Sequence, residues 1–179
     1  MSRIRTHTIE DAPVGSRPLL QKLIQSSPTG RFLNVHAQMA DSPAVLAAYA
    51  SLRAAIAEHG TFDPRAAAAL TLATAATVGN GYMIGIASRL AHKSGWAEEE
   101  VAALRAGTPT SDAKIDVLTG LVREAAAHSG NVTDATWKAA LQAGWSDEQL
   151  TEAFAYLALT VFSGYFLNYA QTEMDASSW

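Results

Sequence analysis

Helix start signals recur along this chain, and no strand pattern lies between them. Ser42-Pro43 and Asp63-Pro64 each join a helix N-cap residue to a proline at the first helical position. The stretches that follow are rich in alanine, the best helix former, and about a fifth of the whole chain is alanine. No segment alternates apolar and polar residues as a half-buried strand does. The sequence therefore predicts an all-α fold.

The spacing of start and stop signals predicts a bundle of about seven to eight helices. Residues 1–30 contain three prolines and are predicted to form an N-terminal arm with one short helix, followed by a helical domain over residues 31–179. The predicted helices span about 16–25, 42–58, 63–77, 82–93, 97–105, 111–128, 133–143 and 147–170.

Composition excludes several classes of function. Hydrophobic residues make up 49% and charged residues 17% of the chain, which is typical of a globular protein. The net charge of -4 and the scattered basic residues argue against nucleic acid and membrane surfaces as partners. Neither a secretory signal nor an uninterrupted apolar span of about 18 residues is visible, so we expect a soluble cytoplasmic protein.

The chain has no cysteine. This excludes disulfides, thiolate metal sites, cysteine nucleophiles and thiol peroxidase chemistry. It also lacks His-x-x-x-His and His-Glu-x-x-His spacings and the glycine-rich motifs of nucleotide-binding loops. We therefore expect no metal and no cofactor.

Two segments about 49 residues apart repeat a Gly-Trp-small-acid-Glu pattern. They begin at Gly95 and Gly144, and the second carries a capping box formed by Ser146 and Gln149. A duplicated helix-turn-helix unit packed against itself explains this pattern. The alternative is two similar helix starts without a shared history.

Residues 78–87 read Val-Gly-Asn-Gly-Tyr-Met-Ile-Gly-Ile-Ala. This frame resembles the active-site segment of the carboxymuconolactone decarboxylase / alkylhydroperoxidase D-like family, whose peroxidase branch carries Cys-x-x-Cys and a histidine four residues later. Residues 93–99 are similar to a downstream family pattern and set the register. In that register Asn80 and Met83 stand at the cysteine positions, Ala87 at the histidine and Ala68 at the upstream relay glutamate, while Tyr82 is kept. Segments at 10–20, 34–49, 144–150, 161–168 and 172–175 extend the resemblance to nearly the whole chain.

The resemblance implies an alkylhydroperoxidase D-like helical bundle and a set of candidate site residues. Asn80, Met83, Ile84 and Ala87 share one side of their helix, which faces the reaction pocket in the family. Among the five histidines, His36 is the best candidate to line that pocket. Tyr165 and Asn168 of the last helix are further candidates for substrate binding. The alternative is that all of these residues serve packing alone.

Two functions remain open. The first is a cofactor-independent lyase, decarboxylase or isomerase, since the family's decarboxylase branch also works without the cysteine pair on small carboxylic acids. His36 or Tyr82 would then supply acid–base catalysis, and Asn80 or Asn168 would polarise a carbonyl. The second is a catalytically inactive homologue that acts as a binding protein or oligomeric scaffold.

For either function we expect a small, mainly apolar acid or carbonyl compound as the ligand, bound beside Asn80 and Met83. The resemblance also implies a homo-oligomer, a trimer or hexamer, with the aromatic last helix at the interface. An open cavity containing His36 and Asn80 would favour an enzyme or binder, and a site filled by Met83 and Ile84 would favour a scaffold.

Overall fold

The computed structural model describes residues 2–25, 27 and 30–175, and every regular element in them is an α-helix. The predicted all-α fold is therefore confirmed. The helices are α1 (Arg17–Gln25), α2 (Asn34–Met39), α3 (Pro43–His59), α4 (Pro64–Val78), α5 (Gly81–Lys93), α6 (Glu98–Ala106), α7 (Ala113–Ala127), α8 (Asp134–Gln142) and α9 (Asp147–Ala170).

Eight of these helices follow predicted ones, with ends that agree to within about two residues, and α2 is new. No Ser, Thr, Asp or Asn precedes α2, which is only six residues long. Its N-cap is Leu33, whose backbone N–H donates to Nδ1 of His36 at 3.1 Å. The side chain of Leu33 cannot accept a helical N–H, so the polar residue that would have marked the start of this helix in the sequence is missing.

The described residues fall into two compact units. One lies within residues 1–58 and 165–179, and the other comprises residues 59–164. The predicted arm belongs to the first unit. Helix α9 contributes its residues up to Gly164 to the second unit and the remainder to the first.

In the first unit, α2 bonds to segments from both the N-terminal and the C-terminal parts of the described chain. The amide of buried Gln38 donates to the carbonyl of Ile4 at 3.1 Å, and its oxygen accepts from the hydroxyl of Thr172 at 2.5 Å. The backbone N–H of Asn34 donates to Asp175 at 2.8 Å. Because Ile4, Thr172 and Asp175 all bond to the same short helix, the described segments before α1 and after α9 are parts of the folded unit.

In the second unit, α4 is the central helix. It packs against α5, α6 and α7, and α7 packs against α8. Leu70 and Leu72 of α4, together with Leu118 of α7, are fully buried. The alanine-rich sequence of α4 lets its neighbours approach closely on several sides.

Two copies of one helical motif make up this second unit. Helices α4 and α7 have 15 residues each, and their N-caps, Asp63 and Asp112, lie 49 residues apart. The indole N–H of Trp96 donates to the carbonyl of Arg65 at 3.0 Å, and the Arg65 guanidinium lies 3.5 Å from the ring centre. The second copy repeats both contacts.

In that copy, the indole N–H of Trp145 donates to the carbonyl of Lys114 at 3.0 Å, with the ammonium 4.3 Å from the ring centre. The glycine before each tryptophan has a positive φ, 92° at Gly95 and 88° at Gly144, which glycine adopts without strain. The predicted capping box of Ser146 and Gln149 is also present. The two segments thus form a structural repeat, and their duplication from one unit stays a prediction.

Helix α9 is, within the described residues, the one helix long and apolar enough by length and composition to cross a membrane. A single helix of this kind is weak evidence for a membrane protein, because core helices of soluble proteins pass the same test.

Candidate functional site

The turn between α4 and α5 holds the residues expected to form the reactive motif. Helix α4 ends at Gly79, which has the left-handed φ of 75° common at helix C-termini. Asn80 follows as the N-cap of α5, and its side-chain oxygen accepts the backbone N–H of Met83 at 2.9 Å. The amide at the first cysteine position therefore stabilises the start of a helix.

The predicted reactive face is closely packed. Asn80, Tyr82, Met83 and Ala87 are buried, while Ile84 is half-buried. Helix α9 approaches this turn at Gly164, where an added Cβ atom would lie only 3.0 Å from Cγ1 of Val78. This packing favours the filled-site alternative for the motif turn.

His36 lies in α2 and is 7% exposed. Its Nδ1 accepts the N–H of Leu33, and its Nε2 lies 3.0 Å from the Tyr49 hydroxyl oxygen. Burial, with a smaller contribution from the nearby charge of Arg53, lowers the pKa of His36 to about 3. The imidazole is therefore neutral near pH 7, with its lone pair on Nδ1 and its proton on Nε2. Accepting a proton would break the bond to Leu33.

The predicted site residues divide between the two units. Tyr165 and Asn168 lie on the exposed side of the last turns of α9. The first unit contains His36, Tyr165 and Asn168, and the second contains Asn80, Tyr82, Met83, Ile84 and Ala87.

A groove of about 330 Å³ opens on the second unit, between residues of α4, α5 and α9. Ala68, at the position of the family's relay glutamate, forms part of its wall. Ala68 is the one signal in the sequence that could have located the groove, because alanine there replaces a long side chain. Sequence reasoning did not identify the other lining residues, which are Pro64, Ala67, Thr71, Leu90, Lys93, Ser94 and Tyr156.

The polar groups of this groove differ in what they can bind. The hydroxyls of Thr71 and Ser94 donate to backbone carbonyls, each at 2.9 Å, so their protons are engaged. Burial raises the pKa of Tyr156, and the charge of Glu152 raises it further, so its phenol stays protonated at neutral pH. Lys93 supplies the cation at the rim. The groove thus presents an apolar wall with two donors, Lys93 and Tyr156.

A metal centre has no support in the part of the chain that the structure describes. No group of three or more His, Cys, Asp or Glu side chains there is placed to hold an ion. The sequence prediction of no metal ligands stays a prediction for the chain as a whole.

No protein-family model matches the chain, and no curated protein matches its sequence. Solved structures do match its fold. The debrominase Bmp8 aligns with a TM-score of 0.81 at 15% identity, over 98% of this chain and 94% of Bmp8. A Bmp8 variant forms a complex with 2,3,4-tribromopyrrole.

Two peroxidase-related proteins are also similar. An alkylhydroperoxidase AhpD core protein from Ralstonia eutropha aligns with a TM-score of 0.84 at 15% identity, over 97% of this chain and 92% of that one. A peroxidase-related protein from Silicibacter sp. aligns with a TM-score of 0.73 at 14% identity, over 98% and 96% of the two chains. Since identities this low establish the fold alone, the chain is a cysteine-free protein with the alkylhydroperoxidase D-like fold.

Proposed function

We propose that this protein binds a small, mainly apolar carboxylic acid or carbonyl compound and is not a thiol peroxidase. The observation that carries the proposal is the groove beside Ala68. Its volume of about 330 Å³ lies at the lower end of the range of small-molecule sites. A small ligand also agrees with the tribromopyrrole bound by a protein of similar fold.

The lining of the groove supports this ligand class. Ala67, Ala68 and Leu90 offer apolar contact to the body of a ligand. The Lys93 ammonium and the Tyr156 hydroxyl can each donate a hydrogen bond to a carboxylate or carbonyl oxygen. A sugar or nucleotide would leave most of its polar groups facing apolar walls, which costs free energy.

Binding without catalysis has more support than the lyase hypothesis. Asn80 is engaged as a helix cap, and Ala87 and Ala68 bring no proton-transfer group. His36, the favoured base, is neutral with its lone pair occupied. Thiol peroxidase chemistry needs a thiolate, and the chain has no cysteine. The cytoplasmic location and the absence of nucleic-acid and membrane partners stay predictions from composition.

A thermal-shift screen of small carboxylic acids and lactones tests the proposal. Hits should lose their stabilisation in Ala68→Trp, which fills the groove, and carboxylate hits should lose most of it in Lys93→Met. Lys138→Met removes the same charge from exposed α8 and is the matched control. Stabilisation that survives Ala68→Trp but is lost in Asn80→Leu would place the ligand at the motif turn and overturn the groove assignment.

We also propose that the protein forms a homo-oligomer through α9. Three aromatic side chains on this helix are largely exposed: Phe154 at 63%, Tyr165 at 62% and Tyr169 at 72%. Aromatic residues are enriched in protein interfaces, where burying them is strongly favourable. Sedimentation should give a trimer or hexamer at micromolar concentration. A monomer at that concentration would contradict this proposal.

A further inference from the structure

In the first unit, a buried histidine joins the N-terminal segment (residues 5–12) to the turn before α3 (residues 40–42). His7 is 6% exposed, and a carboxylate oxygen lies beside each of its ring nitrogens. Nδ1 lies 3.2 Å from Oδ1 of Asp11, and Nε2 lies 3.0 Å from Oδ1 of Asp41. The backbone N–H of His7 also donates to the carbonyl of Ala37 at 3.2 Å. The ring thus bridges two carboxylates that are far apart in the chain.

The number of protons on this ring decides whether both contacts are attractive. An ionised carboxylate can only accept hydrogen bonds, so each ring nitrogen has to donate. A neutral imidazole has one N–H and one lone pair and can donate to only one of the two carboxylates. The imidazolium has an N–H on both nitrogens, and its bonds to carboxylates are charge-assisted. The geometry around His7 therefore fits the charged ring.

The two carboxylates are held unequally. Oδ1 of Asp11 also accepts the backbone N–H of Thr8 at 2.8 Å, and its Oδ2 pairs with the Arg5 guanidinium at 2.5 Å. Asp41 lies at the surface, where its side chain is 58% exposed. Donors other than His7 therefore fix Asp11, whereas Asp41 can turn to water if its contact with the ring is lost.

Other titratable groups lie on the elements next to the ring. In the N-terminal segment, exposed Glu10 interacts electrostatically with Asp11 and with Arg17 of α1. In α2, burial lowers the pKa of His36 to about 3, so His36 brings no charge in the pH range where an ordinary imidazole titrates. The turn before α3 contributes Asp41 as its charged residue.

We propose that His7 is a pH-sensitive clasp between the N-terminal segment and the turn before α3. With a proton on each nitrogen, the ring holds Asp11 and Asp41 together. When the ring loses one proton, the other stays on Nδ1, bonded to Asp11, and the lone pair of Nε2 faces Asp41, whose carboxylate turns to water. The clasp is therefore closed at low pH and opens as the pH rises. It lies within the first unit and is independent of the groove on the second.

NMR of the His7 ring nitrogens in the full-length protein, between about pH 5 and pH 9, tests the clasp. The ¹⁵N shifts should show two protons at the acid end and a single proton, on Nδ1, at the alkaline end. Asp41→Asn should weaken proton binding by His7 at least about twofold, because it removes one of the two negative charges. Glu10→Gln removes a charge beside Asp11 without touching the ring, and as the matched control it should have a smaller effect.

Hydrogen exchange reports whether the clasp holds the backbone. The protection of the His7 N–H, corrected for its intrinsic exchange rate, should fall at least about threefold as the ring loses its proton. Asp41→Asn should remove most of this pH dependence. If that variant does not fold, Asp41→Ser takes its place with the same expectations.

Several results would overturn the clasp. These are a ring with one proton throughout the pH range, a single proton on Nε2 at the alkaline end, or equal effects of Glu10→Gln and Asp41→Asn on proton binding. Protection of the His7 N–H that does not change with pH would also contradict it, since the backbone contact would then be independent of the ring.

Discussion

The two turns at equivalent places in the repeat have opposite surroundings. In the first copy, Asn80 is buried and its side chain caps α5. Its counterpart 49 residues later is Ser129, which is exposed and has the left-handed φ of 56°. Asn131, two residues further along, donates from its amide to the carbonyl of His128 at 2.8 Å. The repeat thus contains a packed turn in its first copy and a solvated turn in its second.

Two local differences account for this contrast. Helix α5 begins at Gly81, whereas α8 begins one turn later in the repeat, at Asp134, which leaves a longer loop before it. The first turn is also covered by α9, whose backbone approaches Val78 where Gly164 has no side chain. An open groove of about 580 Å³ lies beside the second turn. The turns at Asn80 and Ser129 therefore differ mainly in how deeply they are buried.

The largest expected effect tests whether the copies are equivalent where their contacts match. Trp96→Ala and Trp145→Ala should each lower the free energy of unfolding by about 3–5 kcal/mol, because both indoles are buried. Trp96→Phe and Trp145→Phe should each lower the free energy of unfolding by less, about 1–3 kcal/mol, mainly because a buried carbonyl loses its indole donor. Chemical denaturation measures all four. A cost below about 1 kcal/mol for either alanine variant would break the equivalence.

The second prediction extends the contrast of buried and exposed groups to the histidines. Burial lowers the pKa of His36 from 6.5 to about 3, so the unfolded chain takes up a proton that the folded one excludes. The stabilisation is therefore present above pH 6.5 and is lost as the pH falls toward 3. The slope should be at most about 1.4 kcal/mol per pH unit.

The measurement is chemical denaturation between pH 7 and 5, where few carboxylates titrate. His36→Gln should reduce the slope, whereas the control His128→Gln, at an exposed position, should keep it. Equal slopes for His36→Gln and the unmodified protein would show that His36 is not held neutral.

Burial also raises the pKa of Tyr49, so its stabilisation is present below pH 10 and is lost at higher pH.

The smallest effects come from the turns themselves and should have opposite signs. Asn80→Ala removes a helix cap and should destabilise the protein by about 1–2 kcal/mol. Ser129→Gly relieves a left-handed φ at the equivalent place and should stabilise it by up to about 1 kcal/mol. Thermal unfolding of the two variants side by side measures both. The same sign for both would contradict the contrast drawn from their backbones.

Local signals in the sequence were enough to locate most helices. Asp63-Pro64 starts α4 because the aspartate accepts the N–H of Ala66 at 2.8 Å and proline fixes the first helical φ. The same reasoning failed at α2, since its N-cap is Leu33, whose side chain has no hydrogen-bond acceptor to mark a helix start. The repeat was visible in two tryptophan segments, and the structure added the backbone carbonyls that their indoles bind.

The candidate site was less accessible from sequence. Spacing placed Asn80, Met83 and Ala87 on one side of α5, but did not show that α9 covers the turn at Gly164. Ala68 was identified as a missing glutamate, whereas the groove beside it depends on side chains from three helices. Tyr49, the partner of His36, lies 13 residues away on another helix and had no local signal.

The sequence by itself determined most of the helices, the lack of thiol groups and the repeated tryptophan pattern, because caps, propensities and cysteine content act within a few residues or need no geometry. Only the tertiary structure decided which side chains are buried, which hydrogen-bond partners they have and where a groove opens. These properties depend on contacts between residues far apart in the chain. Asn80 and Ser129 occupy the same place in the repeat, and tertiary packing buries one and exposes the other.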